Sequence, residues 1–349
     1  MFIPKTDKPF FVGLIGTAAT GTNNVLTVVN TTADLAQFGA DTGGTIVAAA
    51  RVLLRYGVPL IVNKIDGSGT ATVTETNIVG TTNPNTGLEL FRDAQATLGI
   101  APRALIVPGF STVNIATKVN DVATALGIPG IVDFIGTYAN LLTARGTATG
   151  FGIKSRFFFP CFPQLQRGTV LEYLSCHVAG LIGRASKIEN YGVFPHLRRL
   201  DSITGITPAM TLTGAAPNNV TLHDLGVLSV ANLNGNWQLF GFRNGSFTNT
   251  NQGLTALAVG IILEWEARSL LLPVTQSLTA HLPASTASIQ QIQQHLDSIL
   301  KEEAGDGNLG AKSFVRYNSD LSTATSYVFD ACLAPRGSFQ SGTLTLTLI

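Results

Sequence analysis

The first residues that could do chemistry are the glycines of a turn near the N-terminus. Gly13, Gly16 and Gly21 accompany the apolar run Phe10–Ile15, and a glycine-rich turn after a strand can bind phosphate through backbone N–H groups. The spacing is not G-x-G-x-x-G, no P-loop Lys-Ser/Thr pair is present, and Asp41 lies in a Gly-rich turn rather than at a strand end. We interpret the segment as a plain turn and keep a nucleotide-dependent α/β enzyme as the alternative function.

The other candidates for catalysis lack partners in the sequence. Gly109–Val113 begins like a nucleophile elbow, but a valine replaces the second glycine, so we expect Ser111 to cap a helix. Cys176 and His177 are adjacent, and on a helix they point about 100° apart, which excludes a side-by-side dyad. Asp133 follows an apolar run, at the strand end where α/β active sites lie. Without an evident partner it is interpreted as a cap.

The histidines and cysteines form no metal-binding pattern. No H-x-x-x-H pair occurs, and three widely spaced cysteines are typical of a reducing compartment. We therefore predict no metal, no cofactor and no enzymatic activity. The residues concerned are His177, His196, His223, His281, His295, Cys161, Cys176 and Cys332.

Composition indicates a chain whose surface contacts other protein. Of 349 residues, 45% are hydrophobic and only 12% charged, about half the roughly 25% usual for soluble domains. The net charge of +1 provides no basic field for nucleic acid or an anionic membrane. The most apolar segment, Leu254–Val274, contains Glu264, Glu266 and Arg268, so no membrane insertion is predicted.

Helices and strands alternate in the first half of the chain. A helix predicted over Thr86–Gly99, with Glu89 at capping-box spacing, precedes the apolar strand 104–107. A second helix, over Ser111–Gly127, precedes the strand 128–135. Short connections between such elements predict an α/β domain with a mostly parallel sheet.

The rest of the chain divides near residue 225. Before it, residues 66–85 are rich in Gly, Thr and Asn and predict a loop or a small β excursion. After it, the pattern is α+β. The further predicted elements are strands 10–15, 58–65 and 156–159, helices 31–38, 45–56 and 170–186, a hairpin over 226–242, helices 252–272 and 286–303, and strands 312–317, 327–333 and 342–349.

Six segments follow one another along the chain: Pro9–Ala18, Ala101–Phe110, Val178–Arg184, Tyr191–Pro195, Asn234–Arg243 and Lys312–Pro335. Over nearly the whole chain, their order and spacing resemble the contractile tail sheath proteins of myophages, R-type pyocins and related injection machines. The segment Asn234–Arg243 is the most specific of the six.

The resemblance implies a compact sheath protein with a short N-terminal arm (1–8), an outer α/β domain (9–225, with a small insertion or loop at 66–86), an inner tube-facing α+β domain (226–335) and a C-terminal arm strand (336–349). It implies a subunit that polymerises as stacked hexameric rings around a tail tube and contracts to drive the tube through the host envelope. Neighbouring sheath subunits, the tail tube protein, and baseplate and tail terminator proteins would be its partners. Its place would be the virion tail, assembled in the cytoplasm of a bacterial host.

The final segment of the chain alternates Thr and Leu. Alternation places Leu344, Leu346 and Leu348 on one face of a half-buried strand. Such a strand can fold back into its own domain or pair with another subunit, and the resemblance favours exchange between subunits.

A second interaction site is predicted at the end of the helix over 286–303. Lys301, Glu302 and Glu303 place charges beside polar and apolar residues. We expect them to face the tube and to dock it by charge complementarity; a solvated helix end is the alternative.

Overall fold

A computed structural model divides the chain into two compact units: a first unit of Lys8–Ile188 and Phe194–Thr248, and a second unit that includes Asn249–Ile349. Within the described residues, each unit has a sheet and at least one helix of its own. The described residues are 10–40, 43–188, 197–212, 218–241, 243–246, 271, 285–305, 313–322, 328–333 and 342–347.

The first unit is built on a six-stranded mixed sheet. Its order is β2-β3-β1-β4-β5-β6, and every neighbouring pair is parallel except β2 with β3. The predicted mostly parallel sheet is thereby confirmed. The central strands read as continuous apolar runs because helices bury both of their faces. The strands are β1 Val12–Gly16, β2 Leu26–Val29, β3 Leu60–Lys64, β4 Ala104–Ile106, β5 Gly130–Asp133 and β6 Phe158–Cys161.

The helices of this unit follow the apolar periodicity of the sequence where that periodicity is strong. The helix predicted over 45–56 is present, and its residues Ile46, Ala50 and Leu53 are fully buried along one face. The elements are a 3-10 helix Thr32–Phe38, α1 Ile46–Arg55, α2 Ala71–Val79, a 3-10 helix Gly87–Asp93, α3 Ala94–Leu98, α4 Val113–Leu126, α5 Tyr138–Arg145, a 3-10 helix Gly150–Gly152, α6 Leu174–Ile188 and α7 Asn218–Asp224.

Helix α2 replaces the loop or β excursion expected at residues 66–85, and that prediction is wrong. Thr70 caps the helix by accepting from the backbone N–H of Val73 at 3.4 Å. Asn77 Nδ2 donates to the Asp66 carbonyl oxygen at 3.0 Å, and Ile78 is fully buried. Threonine and asparagine are poor helix formers, so tertiary contacts stabilise this helix rather than its intrinsic propensity.

The capping box predicted for Thr86 and Glu89 is also wrong. The chain forms a 3-10 helix there before α3, and the buried Glu89 carboxylate pairs with Arg92 and Lys118 instead. The Thr86 hydroxyl accepts from the backbone N–H of Thr81 at 2.9 Å. A buried carboxylate requires cationic partners, and α4 provides one of them.

Residues after 225 remain packed on the first unit, so the contact boundary at residue 248 differs from the predicted one. The backbone N–H of Leu228 donates to the Pro160 carbonyl of β6 at 2.8 Å. The buried Arg145 guanidinium donates to the Leu225 carbonyl at 2.7 Å and to that of Gly245 at 3.4 Å. The roles given to the outer and inner domains stay predictions.

Two smaller sheets complete the first unit. The hairpin predicted around Asn234 and Gly235 is confirmed, since both take positive φ, 53° and 79°, as a two-residue hairpin turn requires. A three-stranded antiparallel sheet of order β8-β7-β9 was not predicted. The strands are β7 Gln164–Arg167, β8 Val170–Glu172, β9 Gly205–Thr207, β10 Ser229–Leu233 and β11 Asn236–Phe240.

The described part of the second unit is one helix on an antiparallel sheet of order β12-β13-β14. The helix predicted over 286–303 is confirmed, and its residues Ile292, Leu296 and Leu300, four apart, are buried. The predicted helix 252–272 falls outside the described residues apart from residue 271. No helix in the described part of the chain combines the length and the apolar character needed to cross a membrane. The elements are α8 Thr286–Gly305, β12 Phe314–Tyr317, β13 Val328–Leu333 and β14 Gly342–Thr347.

Candidate functional site

The glycine-rich turn after β1 is a packing feature. A Cβ on Gly16 would lie 2.3 Å from Thr45 Oγ1, so only glycine allows this approach to α1. The Thr17 carbonyl accepts from the backbone N–H groups of Thr45 and Ile46, both at 3.0 Å. Two backbone donors at the start of α1 are therefore already used within the chain. Asp41 lies outside the described residues.

Asp133 is a structural cap, as the sequence predicts. Its carboxylate, at the end of β5, accepts from the backbone N–H of Ser175 at 2.8 Å and from the Ser175 hydroxyl. Burial raises the pKa of Asp133 to about 6, against the lowering effect of these hydrogen bonds. The residue attaches α6 to the sheet and presents no free oxygen to a cleft, being 2% exposed.

Ser111 does not cap α4. Thr112 caps the helix, because its hydroxyl accepts from the backbone N–H of Ile115 at 3.3 Å. The Ser111 hydroxyl instead accepts from the backbone N–H of Ile135 at 2.9 Å, which joins the loop after β4 to the end of β5. The prediction that Ser111 caps the helix is corrected by one residue.

His177 belongs to a buried polar network that the sequence did not reveal. Its Nδ1 contacts Tyr56 Oη and its Nε2 contacts Glu172 Oε2, both at 2.9 Å. The Glu172 carboxylate also accepts from Arg55 at 2.6 Å and from Arg167 at 2.9 Å. The network joins α1, β7, β8 and α6.

The network is built to hold elements together rather than to transfer protons. Burial raises the pKa of Glu172, but hydrogen bonds from His177, Arg55 and Arg167 outweigh it and hold that pKa at about 2. Burial lowers the pKa of His177, against the opposing effect of Glu172. Because the histidine is fully buried and both ring nitrogens have partners, it cannot take a proton from a substrate.

The remaining histidines and cysteines add no reaction centre to the described residues. His223 and His295 lie on α7 and α8, and His196 and His281 fall outside the described ranges. Within those ranges, no three His, Cys, Asp or Glu side chains gather closely enough to hold a metal ion. Burial raises the pKa of the Cys161 and Cys176 thiols well above its ordinary value, which makes both inert.

The chain-terminal strand β14 pairs with β13 of the same chain. The pairing is antiparallel over six residues and sets Leu344 opposite Ala331 and Leu346 opposite Phe329. Leu348 lies outside the described residues. The predicted strand therefore exists within a single subunit, and its exchange with another copy stays a prediction.

The end of α8 carries the charges predicted to face a tube. Lys301 and Glu302 are exposed, whereas Glu303 is 2% exposed and is not on the surface of the chain. Docking at this helix end stays a prediction for Lys301 and Glu302.

Known structures with the same fold come from contractile machines. The chain superposes on the contracted helical sheath of the anti-feeding prophage with a TM-score of 0.73 and 14% identity, over 97% of this chain and 93% of that one. It matches the sheath tail protein of Listeria innocua with a TM-score of 0.68 and 11% identity, over 98% and 96%. The chain has the tail sheath fold.

The match extends to the contracted sheath complex of PVC, an extracellular contractile injection system. Its TM-score is 0.67 at 13% identity, over 96% of this chain and 93% of that one. No known sequence family and no curated protein matches the chain. The sheath fold is therefore recognised from backbone geometry at identities where residue-level roles do not transfer.

Proposed function

We propose that this chain is a structural subunit of a contractile tail sheath, which polymerises as stacked rings around a tail tube and contracts to drive the tube through a target envelope. The observation that carries the proposal is the superposition on a contracted helical sheath over 97% of the chain. The three residues best suited to catalysis, Ser111, Asp133 and His177, all have structural hydrogen-bond partners. A non-enzymatic role accounts for side chains that all form hydrogen bonds within the fold.

The composition supports assembly into a large polymer. Only 12% of the residues are charged, and a surface buried in protein–protein contacts needs little charge. Head-to-tail contacts between copies that do not close into a ring generate helical filaments. An extended lattice can then release free energy as its subunits repack, so contraction requires no nucleotide.

In this proposal, β14 links neighbouring subunits. Strand addition provides directional main-chain hydrogen bonds, and alternate side chains provide specificity. Leu344, Leu346 and Leu348 would occupy the apolar side of the acceptor sheet. A joint of this kind holds two subunits together while each rotates as a rigid body.

The exposed pair Lys301 and Glu302 would contact the tail tube. Contacts between surface charges are weak, so such an interface can release when the sheath contracts. Baseplate and terminator proteins would bind the two ends of the polymer. Such a subunit would serve equally in a phage tail and in a phage-derived injection machine.

Electron microscopy of the purified chain tests the proposal. We expect striated cylinders or tube-free polysheaths in the full chain. Deletion of Ser341–Ile349 should leave a folded protomer that forms no long sheath. A monodisperse monomer that binds a dinucleotide with micromolar affinity would contradict the proposal and restore the enzyme alternative.

A further inference from the structure

The outer edge of β12 is closed by side chains rather than by a strand. The backbone N–H of Asn318 donates to the Val328 carbonyl of β13 at 2.8 Å. Because N–H groups alternate in direction along a strand, those of Val315 and Tyr317 point away from β13. Asp297 Oδ1 accepts from Val315 at 2.7 Å, and Gln293 Oε1 accepts from Tyr317 at 3.2 Å.

The two acceptors match the repeat of the strand. Residues four apart on a helix are separated by about 6 Å along its axis, and residues two apart on a strand by about 6.8 Å. One face of α8, running antiparallel to β12, can therefore satisfy two consecutive outward N–H groups. The oxygens of Gln293 and Asp297 lie where the carbonyl oxygens of an added strand would lie.

The helix is held in this place by its apolar face. Ile292, Leu296 and Leu300 are buried, as is Val315 on the strand. Phe314, at the start of β12, is 49% exposed, and an open edge with an exposed aromatic side chain invites pairing with other chains. The polar side chains of α8 thus cover the edge at which uncontrolled pairing would begin.

We propose that Gln293 and Asp297 close the β12 edge of the unassembled subunit to strand addition, so that a strand from a second copy pairs beside β13, where β14 pairs, and not beside β12. The incoming strand would be the segment Gly342–Ile349 of that copy, a partner that rests on the proposed function. The β12 side of each free subunit then accepts no strand. Excluding pairing at β12 favours ordered chains of subunits over branched aggregates.

The test uses the full chain with β14 locked in place. Thr343 stands opposite Cys332 in the register of β13 and β14, so Thr343→Cys allows a disulfide that keeps this acceptor occupied. The probe is a fluorescent peptide of residues 342–349. The locked chain has its β13 acceptor occupied and its β12 edge closed, so we expect it to bind the peptide only weakly.

Removing both acceptors should open the edge. We expect locked Gln293→Ala/Asp297→Ala to bind the peptide roughly thirtyfold more tightly than the locked parent, the equivalent of two recovered main-chain hydrogen bonds, about 2 kcal/mol. The matched control, Gln290→Ala/Gln294→Ala, removes two exposed glutamines four apart on the same helix and should change nothing. Gln293→Glu/Asp297→Asn keeps an acceptor oxygen at each position and should behave like the parent.

Equal peptide affinity of the double alanine variant and its control would overturn the proposal. If the double variant does not fold, the single variant Gln293→Ala, which removes one neutral hydrogen bond, gives the same comparison. Amide exchange at Val315 and Tyr317 should accelerate in the same variants. These readouts concern the isolated chain, so failure to form sheath cylinders would refute the proposed function without affecting them.

Discussion

A single cysteine can report where β14 pairs. Thr343 and Cys332 are register partners, and paired residues of antiparallel strands have Cα atoms about 4.5–5.5 Å apart, within the range of a disulfide. In Thr343→Cys, pairing within one chain yields an internal disulfide. Pairing between copies yields a covalent link between subunits.

The hydrogen bonds are the same in either place. The ladder has six residue pairs, and hydrogen-bonded pairs alternate with non-bonded ones, so about six main-chain bonds contribute roughly 3–9 kcal/mol. Ordering six residues costs roughly 6–12 kcal/mol. Since the ladder alone does not hold the strand, the position of β14 depends on which β13 is more available.

Availability changes with assembly. A short connection keeps the strand at a millimolar effective concentration beside its own β13, about a hundredfold above a 10 μM solution of subunits. That ratio favours internal pairing by roughly 2.7 kcal/mol in dilute protein. In the proposed sheath a neighbouring β13 would be held nearby, which would remove this advantage.

Mild oxidation followed by a denaturing gel measures the outcome. Dilute Thr343→Cys protein should give monomers, and assembled cylinders should give a ladder of covalent multimers. Thr345→Cys is the matched control, because its register partner Asp330 has no thiol. Cys161 and Cys176 are buried and do not compete. Cylinders that yield only internal disulfides would refute exchange at β13.

Three further predictions follow from the first unit and from α8. Glu172→Gln should abolish the loss of stability that the parent shows at low pH in urea denaturation. The pKa of the Glu172 carboxyl is about 2 in the fold against an ordinary 4.5, so the free energy of unfolding of the parent falls by up to roughly 3 kcal/mol as pH falls through that window. An unchanged pH profile in the variant would contradict the network. Thr112→Ala should destabilise α4 by about 1 kcal/mol and accelerate exchange of its first-turn amides, whereas Ser111→Ala should not; the reverse result would restore Ser111 as the cap. Lys301→Glu with Glu302→Lys should impair assembly on tubes and leave tube-free polysheath intact, and normal assembly on tubes would exclude this helix end as the docking site.

Strong periodicity made much of the first unit predictable. The strands β1, β3, β4 and β5 follow from continuous apolar runs, because both faces of each strand are buried. The buried face of α1 follows from its helical period. The hairpin turn at Asn234 and Gly235 followed from the tolerance of these residue types for positive φ. Helix α2 was missed because its threonines lack an apolar period, and its cap and its contact with Asp66 exist only in the fold.

The polar contacts that organise the molecule lay beyond sequence reasoning. Arg55 and Glu172 are 117 residues apart, and Tyr56 and His177 are 121 apart. No spacing rule relates positions so distant, since they meet only after α1 and α6 have packed together. The same holds for Asp297 and Val315, where a helix face meets a strand edge.

The sequence by itself determined the layers of the fold, the alternating strand at the end of the chain and the low charge that indicates a surface buried by other subunits. These features depend on the local period of apolar residues and on composition, neither of which requires tertiary contacts. Only the tertiary structure decided which groups Asp133, Ser111 and His177 contact within the fold, that Glu303 is buried, and that one edge of the second sheet is closed by a helix. Those outcomes depend on which polar groups lose water together, and long-range packing alone brings such groups into contact.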